Sequence, residues 1–325
     1  IVEEVFKSRQ SCCTLWVLAG APLTRASSNE AIRMETPNTS AADPGTQASP
    51  GYWKRVAARL AQDPTTLFFG GIVLLIIASA ILAPWVTGHD PNKTNMFMRL
   101  QPIGGKFVLG TDELGRDVLT RIVYGGRVSL VLGIVPVVIA AFIGGALGIA
   151  AGFFGGRINS VIMRVMDMLY AFPSLLLAIA LSGMTGPGMK NGLLSLTVVF
   201  IPSLCRVAET AATQVRRMEF VEAARATGAS TASVLFGQVV SNVVAPIFVY
   251  AAGLMSVSIL LAAGLSFLGL GVEPPTPDWG SMLANMRQSI YVNPWVCALP
   301  GVAIFLASLS FNMVSDGLRH AMETR

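Results

Sequence analysis

The run VSLVLGIVPVVIAAFIGGALGIAAGFF, residues 128–154, contains 27 consecutive residues without a charged side chain. An α-helix needs about 20 apolar residues to cross the hydrocarbon core of a bilayer. Because this run exceeds that length and lies between Arg127 and Arg157, it predicts a membrane-spanning helix. It therefore sets the class of fold for the chain.

Glycine recurs at four-residue spacing within this run, at Gly144, Gly148 and Gly152. Residues four apart share one face of a helix, and small residues on that face let two helix backbones approach closely. This pattern predicts close packing, either against another helix of the same bundle or against a second membrane subunit.

The composition of the whole chain indicates a lipid-embedded protein. Of the 325 residues, 53% are hydrophobic and 13% are charged, and the mean hydropathy is +0.62. A soluble domain carries about 25% charged residues. The net charge of +5 comes from short basic clusters at the ends of apolar runs. This placement follows the positive-inside rule, so we expect membrane lipid and no nucleic acid as binding partners.

Further apolar segments predict an all-α integral membrane protein with six transmembrane helices. The six predicted spans are residues 67–86, 128–154, 168–189, 191–205, 244–268 and 296–315. The glycines and proline of SGMTGPGMKNG, residues 182–192, indicate a tight turn between the third and fourth spans.

The distribution of basic residues predicts that both termini are cytoplasmic. Basic residues precede the first span, follow the sixth, and lie between spans two and three and between spans four and five. With six spans these segments share one face, which the positive-inside rule assigns to the cytoplasm. The segment between the first two spans is also basic. However, it is long and carries four acidic residues, so it weighs less in this assignment.

Residues 1–51 predict a disordered tail, because their Ser, Thr, Ala, Pro and Gly content cannot bury enough apolar surface. Met34 is an alternative start of the protein, and N-terminal sequencing that reads upstream of Met34 would exclude it. The four cysteines and two histidines have neither metal-binding nor disulfide spacing. We therefore expect no metal site.

Motifs for catalysis are missing from the sequence. It has no G-x-x-x-x-G-K-[ST] loop, nucleophile elbow, H-E-x-x-H motif or dinucleotide-binding fingerprint. The middles of the predicted spans are uncharged, and Asp167, beside the third span, can pair with Arg164 three residues earlier. Proton-coupled carriers usually place several acids or histidines inside the bundle. We expect no catalytic residue and no cofactor on this chain, and an energy source on other chains.

The segment between the fourth and fifth predicted spans, residues 206–240, is far longer than a turn requires. Residues 208–226 favour a helix. Gly228 suits the left-handed residue that ends a helix, and Ser230 or Thr231 can cap the next one. The segment therefore predicts a helix, a sharp turn and a second helix at the cytoplasmic surface.

Within this segment, FVEAARATGAS, residues 220–230, combines small and charged residues. Ala223 and Ala224 would let the backbone of another protein approach, and Glu222 and Arg225 would fix its orientation by charged hydrogen bonds. The alternative is a solvated connector that binds nothing.

FVEAARATGAS resembles the EAA loop of membrane subunits of ATP-binding cassette (ABC) importers. LGTDELGRDVLTRIVYGGRVSL, residues 109–130, resembles the segment ahead of span two in one of the two paired permeases of dipeptide, oligopeptide and nickel importers. Residues 163–181 and 265–283 are also similar to stretches of that family. The similarity covers nearly all of residues 52–320.

The resemblance implies the type I ABC importer permease fold. It implies an N-terminal helix, first span and start of the outer loop over residues 52–108, an outer loop over 109–127, and a five-span core over 128–320. It also implies a coupling helix that docks into a cleft on an ATPase subunit. The residues carried over to this helix are Glu219, Glu222, Ala223, Ala224, Arg225 and Gly228.

The resemblance further implies a set of partners at the bacterial inner membrane. They are a second homologous permease, two ATPase subunits that bind ATP and Mg, and an extracytoplasmic substrate-binding protein. One departure concerns the family's basic pair and Leu-Pro-Asn, because residues 237–242 read GQVVSN and keep only the asparagine. The docking surface can thus lack one positive contact.

Two outer segments carry further expectations. The first contains Asp112, Gly115, Arg116 and Asp117, which either pair internally and hold the loop or contact the binding protein. The second, TPDWG at residues 276–280, predicts a turn that anchors its tryptophan at the lipid interface.

These features predict a permease subunit that forms half of an import path for di- or oligopeptides. Nickel chelates, glutathione or another small solute are alternatives. An ATP-independent facilitator would share the spans without an ATPase dock, and a membrane-embedded enzyme would need convergent polar groups within the spans. Charge reversal at Glu222 separates these classes, because only the ABC importer would lose transport.

Overall fold

The computed structural model describes residues 52–104 and 107–323, and the regular secondary structure within them is helical. The α-helices are α1 (Tyr52–Leu60), α2 (Pro64–Ile81), α3 (Ala83–Val86), α4 (Val118–Phe154), α5 (Gly156–Tyr170), α6 (Ser174–Thr185), α7 (Met189–Arg216), α8 (Glu219–Ala226), α9 (Thr231–Val234), α10 (Ser241–Phe267), α11 (Trp279–Met286) and α12 (Pro294–Glu323). A π-helical segment, Leu235–Val240, joins α9 to α10. The predicted tail, including Met34, lies outside the described residues.

Five helical runs in the described part of the chain are long and apolar enough to cross a membrane. They are α2, α4, α7, the run Thr231–Phe267 that contains α10, and α12. They fall on the first, second, fourth, fifth and sixth predicted spans and confirm the all-α membrane fold. Four of them are longer than predicted. Helix α4 begins at Val118, α7 continues to Arg216, the fifth run begins at Thr231, and α12 continues to Glu323.

The third predicted span, residues 168–189, falls on a bent pair of helices and not on a single helix. Helices α5 and α6 are long and apolar enough to cross a membrane only when they are taken together, and their axes differ by 86°. Pro173 lies at the break, and a proline drives the residue before it out of the α region. Because α6 is only about 18 Å long, a sixth crossing exists only if the bent pair counts as one span.

Helices α4 and α7 form the centre of the bundle and meet along the predicted glycine face. Cβ atoms placed at Gly144, Gly148 and Gly152 would lie 2.7, 2.2 and 2.6 Å from the carbonyl oxygens of Ile201, Cys205 and Glu209, respectively. A side chain cannot fit at such distances, so only glycine permits this contact. The described contact is therefore packing within the chain, and we call it the glycine seam.

Helix α2 lies at the edge of the bundle, with only Thr66 and Ala80 buried. It is attached on two sides. Gly317 of α12 lies so close to Thr66 that a Cβ atom would overlap the Thr66 side chain. The Arg127 guanidinium of α4 donates hydrogen bonds to the carbonyls of Ala80 and Ile81.

The predicted interfacial position of the tryptophan in TPDWG is wrong, because Trp279 is only 3% exposed. Its ring lies against Gly125 of α4, and its Nε1–H donates to the Ile122 carbonyl at 2.8 Å. The neighbouring Asp278 accepts a hydrogen bond from the Ser129 hydroxyl at 2.7 Å. Glycine on α4 leaves room for the indole, so this segment ties α11 to α4 instead of facing lipid.

Candidate functional site

Helix α8 carries most of the predicted coupling residues at one end of the bundle. The helix predicted over residues 208–226 is broken at Arg217 and Met218, between α7 and α8. The break allows the fully buried Val221 of α8 to reach the hydrophobic core. A straight continuation of α7 would carry this side chain away from the core.

The two alanines of the EAA sequence have different environments. Ala224 is half-buried and packs against the core cluster, whereas Ala223 is exposed. The charged residues Glu219, Glu222 and Arg225 are exposed as well. One face of α8 therefore packs against the protein's own core. The other face exposes Ala223 beside the charged side chains.

Gly228 ends this segment in the left-handed conformation, as predicted, with φ of +83°. The N–H of Gly228 donates to the Arg225 carbonyl at 3.0 Å, and the N–H of Ala229 donates to the Ala224 carbonyl at 3.1 Å. These bonds satisfy carbonyls at the end of α8. Ser230 caps the next helix, also as predicted, by accepting a hydrogen bond from a backbone N–H.

A cavity of about 530 Å³ lies between α8 and the adjoining ends of α4, α5 and α7. Its charged lining residues are Glu209, Arg216, Arg217, Glu222 and Arg225. Asn159 fixes the Glu209 carboxylate by donating a 2.7 Å hydrogen bond. The Arg225 guanidinium carbon lies 5.6 Å from the centroid of the Phe153 ring, a cation–π contact that connects α8 to the end of α4.

The residues that depart from the family pattern, Gly237 and Gln238, lie in the π-helical segment. Gly237 has open space around it, and Asn242 donates to the Gln238 carbonyl at 2.6 Å. π-Helical turns are rare and occur frequently at functional sites. Sequence reasoning missed this one, since neither hydropathy nor helix propensity distinguishes it from an α-helix.

The residues of the predicted outer loop pair with one another around Asp112, which is 4% exposed. Its carboxylate accepts hydrogen bonds from the N–H groups of Leu114 and Arg116, both at 2.9 Å, and from Arg116 Nε at 2.6 Å. Arg121 Nε lies 3.8 Å away and is also buried. The negative charge of one carboxylate therefore faces the positive charges of two arginine side chains.

Gly115 and Asp117 complete this loop. Gly115 has φ of +68°, and a Cβ atom there would overlap the Asn95 carbonyl. Asp117 begins α4 by accepting a hydrogen bond from the Thr120 N–H at 3.2 Å. All four predicted outer-loop residues thus belong to one compact turn.

Asp112→Ala is expected to destabilise the protein by about 3 kcal/mol, because it leaves two partly or fully buried arginines without their carboxylate. The measurement is thermal unfolding in detergent. The matched control is Asp90→Ala, which removes an exposed carboxylate from the same segment between α3 and α4. Equal unfolding temperatures for the two variants would contradict a structural role for Asp112.

Ionisable groups beside the spans pair differently from the prediction. Asp167 accepts a hydrogen bond from Arg206 of α7 at 2.6 Å, rather than pairing with Arg164. Cys205 and Cys297 are free thiols. Among the residues that the structure describes, no cluster of His, Cys, Asp or Glu could hold a metal ion.

Comparison with protein families agrees with this architecture. Residues 144–325, more than half of the chain, match the family of binding-protein-dependent transport system inner membrane components. The chain belongs to this family. Residues 51–102 of the permease match the N-terminal transmembrane domain of oligopeptide transport permease C.

Individual relatives cover most of the permease. It is 43% identical over 264 residues to the di/tripeptide transport system permease protein DppC of Pseudomonas aeruginosa, covering 79% of the permease and 87% of the relative. It is 38% identical over 263 residues to the probable D,D-dipeptide transport system permease protein DdpC of Escherichia coli, covering 81% and 88%.

A solved structure gives the same fold. An inward-facing structure of the MetNI methionine ABC transporter superposes with a TM-score of 0.50 at 16% identity, covering 63% of the permease and 97% of the matched chain. At this identity the likeness concerns the fold alone. The permease is therefore a multi-pass membrane protein with the fold of an ABC importer permease.

Proposed function

We propose that this permease forms half of the translocation path of an ATP-driven, binding-protein-dependent importer of short peptides in the bacterial inner membrane. The names of its relatives support peptides as the substrate class. Nickel chelates, glutathione and other small solutes are the alternatives within the same architecture. Neither terminus crosses the membrane in this proposal, and both lie in the cytoplasm with α8.

The observation that carries the proposal is the division of α8 into two faces. Val221 and Ala224 attach it to the core, while Glu222, Ala223 and Arg225 are exposed. An exposed alanine between charged residues gives a partner close backbone access and charge-assisted hydrogen bonds. We assign this face to the cleft of an ATPase subunit, which supplies the ATP and Mg chemistry.

In the proposed cycle, ATP binding closes two ATPase subunits on each other, and α8 moves with one of them. Because α8 lies between α7 and the run that leads into α10, its motion reorients two spans. A second, homologous permease forms the other half of the path. ATP shifts the equilibrium because it binds the closed ATPase pair more tightly than the open one. An extracytoplasmic binding protein delivers the peptide at the other end.

Purification of the tagged permease from its native membrane tests the proposal. We expect a second permease and ATPase subunits to accompany it in detergent, and the complex in proteoliposomes to take up radiolabelled alanyl-alanine. Uptake should require ATP on the α8 side and the binding protein on the other side.

A facilitator is the rival from another class. If the permease is a facilitator, it should still move alanyl-alanine down its gradient in vesicles when it is purified without any ATPase. ATP should then not change the rate. That result would overturn the importer assignment.

A further inference from the structure

A polar stripe runs along α7 on the side away from the glycine seam. Ser203, Arg206, Thr210 and Gln214 follow one another at spacings of three and four residues, so they share one face of the helix. The opposite face packs against α4 through the glycine seam. A helix whose two sides differ in this way has one side for the protein core and one for a polar environment.

The stripe forms one wall of an open groove of about 380 Å³. The groove is completed by Tyr170, the last residue of α5, and by Pro246 and Tyr250 of α10. Arg206 lines the groove, and its guanidinium carbon lies 5.0 Å from the centroid of the Tyr170 ring. The groove therefore combines a cation, two phenol rings and several hydrogen-bonding groups.

The groove lies toward the α8 end of the spans. Arg206 follows Met189, the first residue of α7, by a helical distance of about 25 Å. The hydrocarbon core is about 30 Å thick. The side chains of Arg206 and Asp167 are 48% and 59% exposed, although they form an ion pair. Because charges in transmembrane segments face water-filled cavities or other polar groups, we expect this stripe to face water instead of lipid.

We propose that this groove binds a short peptide on its way out of the translocation path, and that Arg206 binds the carboxylate of the peptide's C-terminus. The inference rests on the proposed function as a peptide importer. A guanidinium presents five N–H donors in a planar fork that matches a carboxylate. One Arg206 nitrogen donates to Asp167, and this is the only side-chain hydrogen bond of the guanidinium within the described residues.

Asp167 acts as a positioning residue in this assignment. Its 2.6 Å hydrogen bond to Arg206 Nη2 and the ring of Tyr170 hold the guanidinium in the groove, which leaves the remaining donors for a ligand. Ser203 and Gln214 on the α7 wall, and Tyr250 on α10, offer further hydrogen-bonding groups for peptide amides.

Photocrosslinking to the whole complex in nanodiscs tests the proposal. The probes are alanyl-benzoylphenylalanine and its C-terminal amide, and labelling of the α7 and α10 residues is quantified by peptide mapping. We expect the free acid to label the groove about tenfold more than the amide, and Arg206→Gln to reduce labelling by the acid to the level of the amide. Arg206→Lys should retain part of the preference for the acid.

Two further variants separate direct binding from indirect effects. Lys190→Gln removes a cation from the other end of α7 and should leave labelling unchanged. In the double variant Arg206→Gln with Asp167→Asn, the loss should persist. If the double variant restores labelling, Arg206 only neutralises Asp167 and the proposal is overturned.

The remaining outcomes distinguish this inference from the proposed function. Equal labelling by acid and amide in the wild type, together with normal ATP-driven peptide uptake, would overturn the carboxylate site alone. Absence of ATP-driven uptake of any peptide by the wild-type complex would overturn the proposed function and the site with it.

Discussion

Gly148→Leu is expected to yield little or no monodisperse protein after extraction in detergent. A Cβ atom at this position would lie 2.2 Å from the Cys205 carbonyl oxygen and 2.6 Å from the Ala208 Cβ. Overpacking that side chains can partly absorb already costs about 1–3 kcal/mol. Here the obstacle is the backbone of α7, which can give way only if α4 and α7 separate along the glycine seam, so we expect a cost of more than about 3 kcal/mol.

Gly71→Ala is the matched control for this prediction. Gly71 also lies within a membrane helix, but nothing approaches within 4 Å of the position that a Cβ would occupy. Alanine there should preserve or slightly raise the unfolding temperature, because it has the higher helix propensity. A Gly148→Leu protein with wild-type yield and unfolding temperature would show that α4 and α7 do not meet along the glycine seam.

Glu222→Arg is expected to lower ATP-driven import at least about a hundredfold, because loss of one partner of a charge pair at an interface costs 2–5 kcal/mol or more. The fold should persist, since Glu222 is exposed. The measurements are uptake of radiolabelled alanyl-alanine into proteoliposomes and the amount of ATPase that co-purifies. We expect the second permease to remain bound while the ATPase is lost.

Asp316→Arg controls for charge reversal itself. Asp316 is an exposed carboxylate of α12 outside the α8 segment, so its reversal should leave import near the wild-type rate. Undiminished import by Glu222→Arg would exclude α8 as the ATPase contact. It would also favour a facilitator if ATP were found to be dispensable.

Most of the fold could be predicted from the sequence because a bilayer imposes a minimum apolar length on each crossing. Five of the six predicted spans lie on single helical runs. The third does not, because the uncharged run that begins at Met168 continues through Pro173, so hydropathy shows no interruption where the chain turns by 86°. Hydropathy measures the preference of a segment for lipid, and it carries no information about the direction of the helix axis.

The local geometry around α8 was predictable where one residue decides it. Gly228 is an example, since a left-handed residue after a helix favours glycine over other residues. The different burial of Ala223 and Ala224 was not predictable, because it depends on the angle at which α8 returns to the core. The pairing of Asp167 with Arg206 likewise requires knowledge of which helices are neighbours.

At the glycine seam the backbones of α4 and α7 approach each other closely at three successive turns. We therefore expect the two helices to move as one rigid body over this stretch. Side chains at a helix interface can change rotamer when one helix slides past the other, whereas backbone carbonyls in helical hydrogen bonds keep their positions within the helix. A displacement applied at the α8 end of α7 is therefore expected to carry α4 with it along the seam, which extends about 12 Å from Glu209 to Ile201. We expect bending during transport to occur outside the seam, at the two-residue joint before α8 and in the π-helical segment after it.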